Sequence, residues 1–298
     1  MKGKAGIKVN PTGDLNPRLR LWRKFLRNPL GVVGTLVFLI IVFSAIFAPL
    51  ISPFEPTQQN LRDRLKPPVW QEGGEWRYPL GTDQVGRDVL SRLIWGARIS
   101  LSIGISAVIL GAVLGSVLGL LAGFIGGRVD NSIMLFVDVM MAFPALILAL
   151  AFSAVLGPGM INIVLVLALV EWARYARLVR GETLTLKERD FVVAARALGQ
   201  RLPQIMFRQI FPNLFPSIIV LATLRLAAVI LTESSLSFLG LGTAGRVPSW
   251  GMMIAHGREV IMRAWWLPTI PGVAILLTVL SVNLVGDRIR DVFDPRVD

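Results

Sequence analysis

Four ionisable residues fall inside or beside long uncharged apolar runs: Asp138, Glu171, Arg225 and Glu233. Such groups are expensive in hydrocarbon, so they face a cavity or one another and mark solute pathways. Glu171 and Arg174 stand three apart, the spacing of a local pair on one helix. Arg225 and Glu233 are eight apart, which on a helix is about 12 Å of rise and about 80° of rotation, so they make no simple pair. Arg225 has Asp138, an acid on a second subunit or a bound carboxylate as alternatives, and the sequence leaves these open. Asp138, Arg225 and Glu233 are the pathway candidates, Glu233 toward the outer mouth.

Other chemistry is sparse. His256 is the single histidine, and a metal or acid-base role would need partners that are not evident. There is no cysteine, which excludes disulfides, thiol catalysis and Cys-based metal sites. No GxxxxGK[ST] stretch exists, so the chain has no phosphate-cradling loop of that type and any ATP-derived energy must come from another chain. With no hydrolytic triad or metal constellation, the expectation is no catalytic residue, no metal, no cofactor held by this chain, and no enzyme.

The elements that hold these residues are apolar. Of 298 residues 54% are hydrophobic and 17% charged, too oily for an ordinary soluble domain, which places the chain in a lipid bilayer. The net charge of +12 is carried in short segments between apolar runs, which argues against a nucleic-acid partner. Segment 1–29 holds eight Lys or Arg and one acid; the run after it is too long for a signal peptide and reads as a retained span.

Six spans are expected in an all-α membrane protein: Leu30 to Ile51, Ile99 to Gly127, Asn131 to Leu156, Met160 to Leu178, Leu214 to Phe238 and Trp265 to Val285. Gly111, Gly115 and Gly119 permit close helix approach in the second, and Gly157-Pro158-Gly159 forces a tight turn between the third and fourth. An even count puts both termini on one side. That side carries 20 Lys and Arg against 10 on the other, so the termini are expected to be cytoplasmic. The divisions are a cytoplasmic segment 1–29, a first span with an extended outer loop over 30–98, a transmembrane domain over 99–290 with a cytoplasmic loop 181–213, and a cytoplasmic tail 291–298.

In the outer loop, Gly81-Thr82-Asp83 and Gly86-Arg87-Asp88 combine turn-permitting glycines with acids that cap or pair, answered by Arg87 and Arg92. A self-satisfied cap over the helices is the commoner outcome of such mixed charge; contact with a solute is the alternative. In the cytoplasmic loop, Asp190 is placed to N-cap a short helix, Phe191 to Leu198, which Gly199 ends in the left-handed conformation. Pro203 then starts a second short helix running toward Pro212. Phe191, Ala194, Ala195 and Leu198 share a face, which either packs on its own membrane domain or docks a partner.

The spacing Ala194-Ala195, Gly199 and Phe211-Pro212 resembles the EAA loop of membrane subunits of ATP-binding-cassette importers. Tyr78 to Leu101 (YPLGTDQVGRDVLSRLIWGARISL), Ser234 to Gly242 (SSLSFLGLG) and Asn283 to Arg296 (NLVGDRIRDVFDPR) look like the C-type permeases of dipeptide, oligopeptide and nickel importers. The resemblance implies a type I importer transmembrane domain whose Val193, Ala194, Ala195, Arg196, Ala197, Leu198, Gly199 and Pro212 contact an ATPase subunit. It also implies a second related permease, two ATPase subunits using ATP and Mg, an external substrate-binding protein that contacts the outer loops, and a bacterial inner membrane. Val193 stands where the family has Glu, and Phe211 where it has Leu; with Asp190 as N-cap, Val193 at the third position removes a capping box. The expected function is half of a peptide import pathway, with nickel as an alternative cargo and a gradient-driven secondary transporter as the rival class.

Overall fold

The computed structural model describes residues 29–243 and 248–293. Nearly all of the expected basic segment 1–29, and the tail from residue 294, lie outside the described residues. Among the described residues the regular elements are helices, and the only bridge between extended segments joins Thr82 and Asp88.

Helix α1, Pro29–Ile46, is uncharged and buries only Gly31, Gly34 and Ala45. Its glycines admit Arg288 and Leu284 of the last helix, while Leu36, Leu39, Ile40 and Phe43 point outward. An outward row of large apolar side chains is what a lipid solvent permits. After the short α2, Ala48–Ile51, residues 52–88 form a compact layer, here termed the cap. From it rises α3, Val89–Ile125, whose 37 residues extend about 55 Å, well beyond the hydrocarbon thickness. Asp88 starts it: Oδ2 accepts from the Ser91 N–H at 2.7 Å and the Ser91 hydroxyl at 2.6 Å.

The expected single span from Asn131 to Leu156 is two helices, α4 (Gly127–Ala142) and α5 (Ala145–Leu156), bent by 99°. Pro144 is the cause: it lacks an N–H and forces Phe143 to the extended values φ −97°, ψ 144°. Gly157-Pro158-Gly159 makes the expected turn into α6, Met160–Leu186. Then follow α7 (Asp190–Ala197), α8 (Leu202–Phe238), α9 (Trp250–Arg258) and α10 (Trp266–Phe293). Four helices, α1, α3, α8 and α10, are long and apolar enough to cross a membrane, or five elements if the bent α4–α5 pair is one. Against the expected six, α6 has the length but carries Glu171, Arg174 and Arg177, so hydropathy alone does not class it as a span.

The centre is the α3–α6 pair. Gly111, Gly115, Gly119 and Gly123 recur every four residues on α3 and lie against Ala168 and Glu171, Trp172 and Tyr175, Ala176, and Arg180 and Thr183 of α6. A Cβ on Gly119 would sit 2.9 Å from the Ala176 Cα, so the backbones themselves are in contact. In lipid this close approach replaces the hydrophobic driving force between helices with dense van der Waals contact. Gly119→Val should therefore destabilise the fold by about 1–3 kcal/mol through overpacking, whereas Gly181→Ala, where a Cβ meets open space, should be neutral. Thermal unfolding of the detergent-purified protein checks both.

Candidate functional site

The segment around α7 stands on a bed of apolar side chains. Val192 and Ala195 are buried in a cluster with Leu120 and Phe124 of α3, Tyr175 and Val179 of α6, and Ile205, Ile210 and Leu214 of α8. The expected common face is thereby split. Ala195 turns inward with Val192, whereas Phe191, Val193, Ala194, Ala197 and Leu198 are exposed, Leu198 at 82%. Val192, which the sequence reading missed, could have been found from its i, i+3 spacing to Ala195. Arg196 holds its guanidinium 5.5 Å from the Phe124 ring centroid, a cation–π contact.

Two local expectations are corrected. Arg189, with extended φ −75° and ψ 147°, occupies the cap position, and Asp190 is the first helical residue. Val193 is then the fourth helical residue, so a Glu there would complete no capping box. Asp190 supports the helix by its charge in the first turn instead. The second helix does not end near Pro212: Leu202 to Phe238 is one 37-residue helix, with a widened turn at Ile205–Ile210. That turn lies where the Pro212 ring and missing N–H would break a regular helix. The C-terminal expectation holds. Gly199 has φ +73°, its N–H donates to the Arg196 carbonyl at 2.9 Å, and the Gln200 N–H reaches the Ala195 carbonyl at 3.1 Å.

Inside the helix bundle, Glu171 on α6 is the partner of Arg225 on α8. Oε2 accepts from Arg225 Nε at 2.7 Å and Oε1 from the same fork at 2.8 Å, while Arg174 reaches Oε1 at 3.3 Å. Asp138 pairs with Arg177 of α6 rather than with Arg225, and Asp130 with Arg180. Glu233 is fully enclosed, so it has no surface open to a pathway. Ser237 and Ser100 donate to it at 2.7 and 3.2 Å, Ser249 donates to Ser237 at 3.1 Å, and the Trp250 N–H donates to Ser100 at 3.3 Å. A carboxyl among hydroxyls thus ties α3, α8 and the start of α9 together.

The cap answers most of its own charge, with Asp88 Oδ1 buried and without a partner. Gly81 and Gly86 adopt φ +78° and +75°. Asp83 Oδ1 accepts from the Val85 and Arg87 N–H groups at 3.0 Å, and Oδ2 from Arg87 Nε at 2.7 Å. Buried Arg92 lies 3.5 Å from Asp83 and donates to the Pro56 carbonyl at 3.1 Å. Thr82 hydrogen-bonds the Asp63 carbonyl, and Tyr78 and Lys66 reach the Asp63 carboxylate at 3.0 and 2.7 Å. The Lys66 hydrogen bond holds the Asp63 carboxyl below its ordinary range, while burial pushes Asp88 up against the pull of Ser91. His256 overlooks a cavity of about 20 Å³ beside Asp83, Arg87 and Arg92, room for about one water.

These features define a helical membrane domain of the type I importer class. A MetNI methionine ABC transporter in an inward-facing conformation aligns with TM-score 0.56 at 19% identity, over 68% of this chain and 97% of that one. An amino acid ABC transporter aligns at 0.52 and 17%, over 66% and 92%. The chain belongs to the family of binding-protein-dependent transport system inner membrane components, which matches residues 115–298; residues 17–68 match the N-terminal transmembrane domain of oligopeptide transport permease C. It is 46% identical to the di/tripeptide transport system permease protein DppC of Pseudomonas aeruginosa, over 95% of this chain and 93% of that one. It is 48% identical to the dipeptide transport system permease protein DppC of Escherichia coli K12, over 95% and 94%.

Removing Arg225 leaves the enclosed Glu171 with only the longer contact from Arg174, and removing Glu171 leaves Arg225 without its carboxylate. Glu171→Ala or Arg225→Ala should each destabilise by about 3 kcal/mol, and the double variant by clearly less than their sum. A double-mutant cycle on unfolding free energies in mixed micelles checks this coupling.

Proposed function

We propose that this chain is the membrane-spanning permease subunit of an ATP-driven importer for dipeptides or oligopeptides, forming half of the translocation pathway. The observation that carries the reading is the exposed apolar face of α7, held by Val192 and Ala195 on the ends of α3, α6 and α8. A chain without a phosphate-cradling loop that presents such a face is built to receive motion from an ATP-hydrolysing partner. The dipeptide permease relatives support the cargo class.

In this reading the chain lies in a bacterial inner membrane with both termini cytoplasmic, an orientation supported by the excess of Lys and Arg on that side. A second permease completes the pathway, two ATPase subunits holding ATP and Mg dock beneath, and an external binding protein delivers cargo at the cap. Phe191, Val193, Ala194, Ala197 and Leu198 meet the ATPase cleft, Arg196 and Gly199 shape the end of the contact, and Pro212 sits where α7 motion enters α8. The chain performs no chemistry. ATP favours one of two arrangements of the helices, and the bound cargo is exposed alternately to each side.

Gly199→Asp places a Cβ and a charge at φ +73° and Arg196→Glu reverses the charge beside Phe124. Both should insert normally yet cut cargo-stimulated ATP hydrolysis by the reconstituted complex by more than about tenfold, a loss of over about 1.4 kcal/mol in coupling. Unchanged coupling in both variants, or ATP-independent peptide uptake by this chain alone in proteoliposomes, would contradict the reading.

A further inference from the structure

Arg98 is the last charge on α3 before the uncharged run 99–125. That run is about 40 Å of helix, more than the hydrocarbon core is thick, so Arg98 stands at the cap-side boundary of the bilayer. Its side chain is exposed, and its guanidinium lies 5.6 Å from the ring centroid of Trp95. Tryptophan and arginine are the residues that settle at headgroup level, the ring half in hydrocarbon and the cation reaching out of it. Among the described residues no carboxylate lies within ion-pairing distance of Arg98, whereas Arg87 and Arg92 close by in the sequence both have Asp83.

Arg98 also ends a groove between α1 and α3 of about 440 Å³, a volume in the range of ligand sites. On α3, Arg98, Leu101, Ser102, Ile105 and Ser106 line it at the i, i+3, i+4, i+7 and i+8 spacing of one helix face. On α1, Val42, Ala45 and Ile46 do the same over one turn. Ala45 and Leu101 are buried in one cluster and make the floor; Ile46 and Ile105, 61% and 40% exposed, are the rims. Ser102 lies one turn, about 6 Å, further into the apolar zone than Arg98. No carboxylate is among the lining residues.

We infer that this groove holds an anionic phospholipid of the cap-side leaflet, with its phosphate at Arg98, an ester carbonyl at Ser102 and one acyl chain along Val42, Ala45, Leu101 and Ile105. The charge pattern selects the headgroup. A lone exposed guanidinium matches a phosphate, and with no carboxylate beside it the ammonium of a zwitterionic headgroup finds no partner. The order of groups matches as well: phosphate, ester carbonyls and acyl chain follow one another into a bilayer as Arg98, Ser102 and the apolar floor do. Such a lipid fastens α1, which itself buries only Gly31, Gly34 and Ala45, to α3. The inference concerns attachment within the membrane and holds whatever cargo the chain carries.

The test uses the complete complex, with both permeases and both ATPases, in nanodiscs of phosphatidylcholine. These carry a trace of phosphatidylglycerol, or of phosphatidylcholine, with a diazirine on the acyl chain. On irradiation the phosphatidylglycerol probe should label segments 42–46 and 101–106 about fivefold more than the phosphatidylcholine probe. Unlabelled phosphatidylglycerol should compete, and soluble glycerol phosphate should not. Arg98→Gln should abolish the preference and Arg98→Lys keep it, with labelling by the zwitterionic probe unchanged in both. Ile105→Trp, which fills the groove from its rim, should lower labelling there by both probes but leave labelling at Leu36 and Leu39, on the outward row of α1, as it was. Equal labelling by the two probes, labelling no stronger in the groove than on the outward row, or a preference that survives Arg98→Gln would overturn the inference. Protection of the groove from both probes would also overturn it, and would assign the groove to contact with the second permease.

Discussion

The backbone contact between α3 and α6 is the constraint on which the other arrangements depend. Four glycines at four-residue spacing remove every side chain from one stripe of α3, and α6 settles into that stripe along its length. Because lipid offers no hydrophobic reward for helix association, such dense contact is what holds the pair in register. Once α6 is held, its rotation is determined. Glu171 faces α8, Arg177 and Arg180 face α4, and the end of the helix joins Phe124 and Leu120 in the bed beneath α7.

Charge is handled in two ways that follow from the surrounding medium. In the cap, Asp63 and Asp83 are satisfied by backbone N–H groups, a hydroxyl and short-range cations, while Asp88 spends Oδ2 on the start of α3 and leaves Oδ1 without a partner. Within the bundle the surroundings are apolar, and Glu171 takes both arms of one guanidinium while Glu233 gathers serine hydroxyls from neighbouring elements. The same economy leaves an apolar face of α7 outside the packed bed. Because α8 runs unbroken from Leu202, beside that face, to Phe238, beside the Glu233 cluster, a displacement of α7 in the proposed importer has a continuous element through which to reach the opposite end.

Much of this was legible in the sequence, and the exceptions have physical causes. Charge-free runs located α1, α3 and α10, and an apolar run interrupted by Arg225 and Glu233 located α8, because membrane thickness sets a minimum length for apolar helices. Gly199 was readable because a helix end needs a left-handed residue, and the Gly81 and Gly86 turns for a similar reason. Pro144 was visible, but a proline can kink a span or split it, and the 99° bend depends on packing that a linear pattern does not encode. Asp190 was misplaced by one position because Arg189 took the extended cap conformation without a side-chain bond. The Glu171–Arg225 pair depended on the relative rotation of helices 54 residues apart, for which the sequence carries no period.

The central claim is that the exposed face of α7 transmits the work of an ATP-hydrolysing partner to the membrane helices. Its most direct test is to place a photoreactive amino acid at Leu198, and separately at Leu135 on α4, in the complex as purified from membranes, and to identify the cross-linked species by mass spectrometry. The expected result is an adduct between position 198 and the ATPase subunit that changes in yield when ATP is trapped, with no such adduct from position 135. Adducts from position 198 confined to lipid or to this chain would contradict the claim.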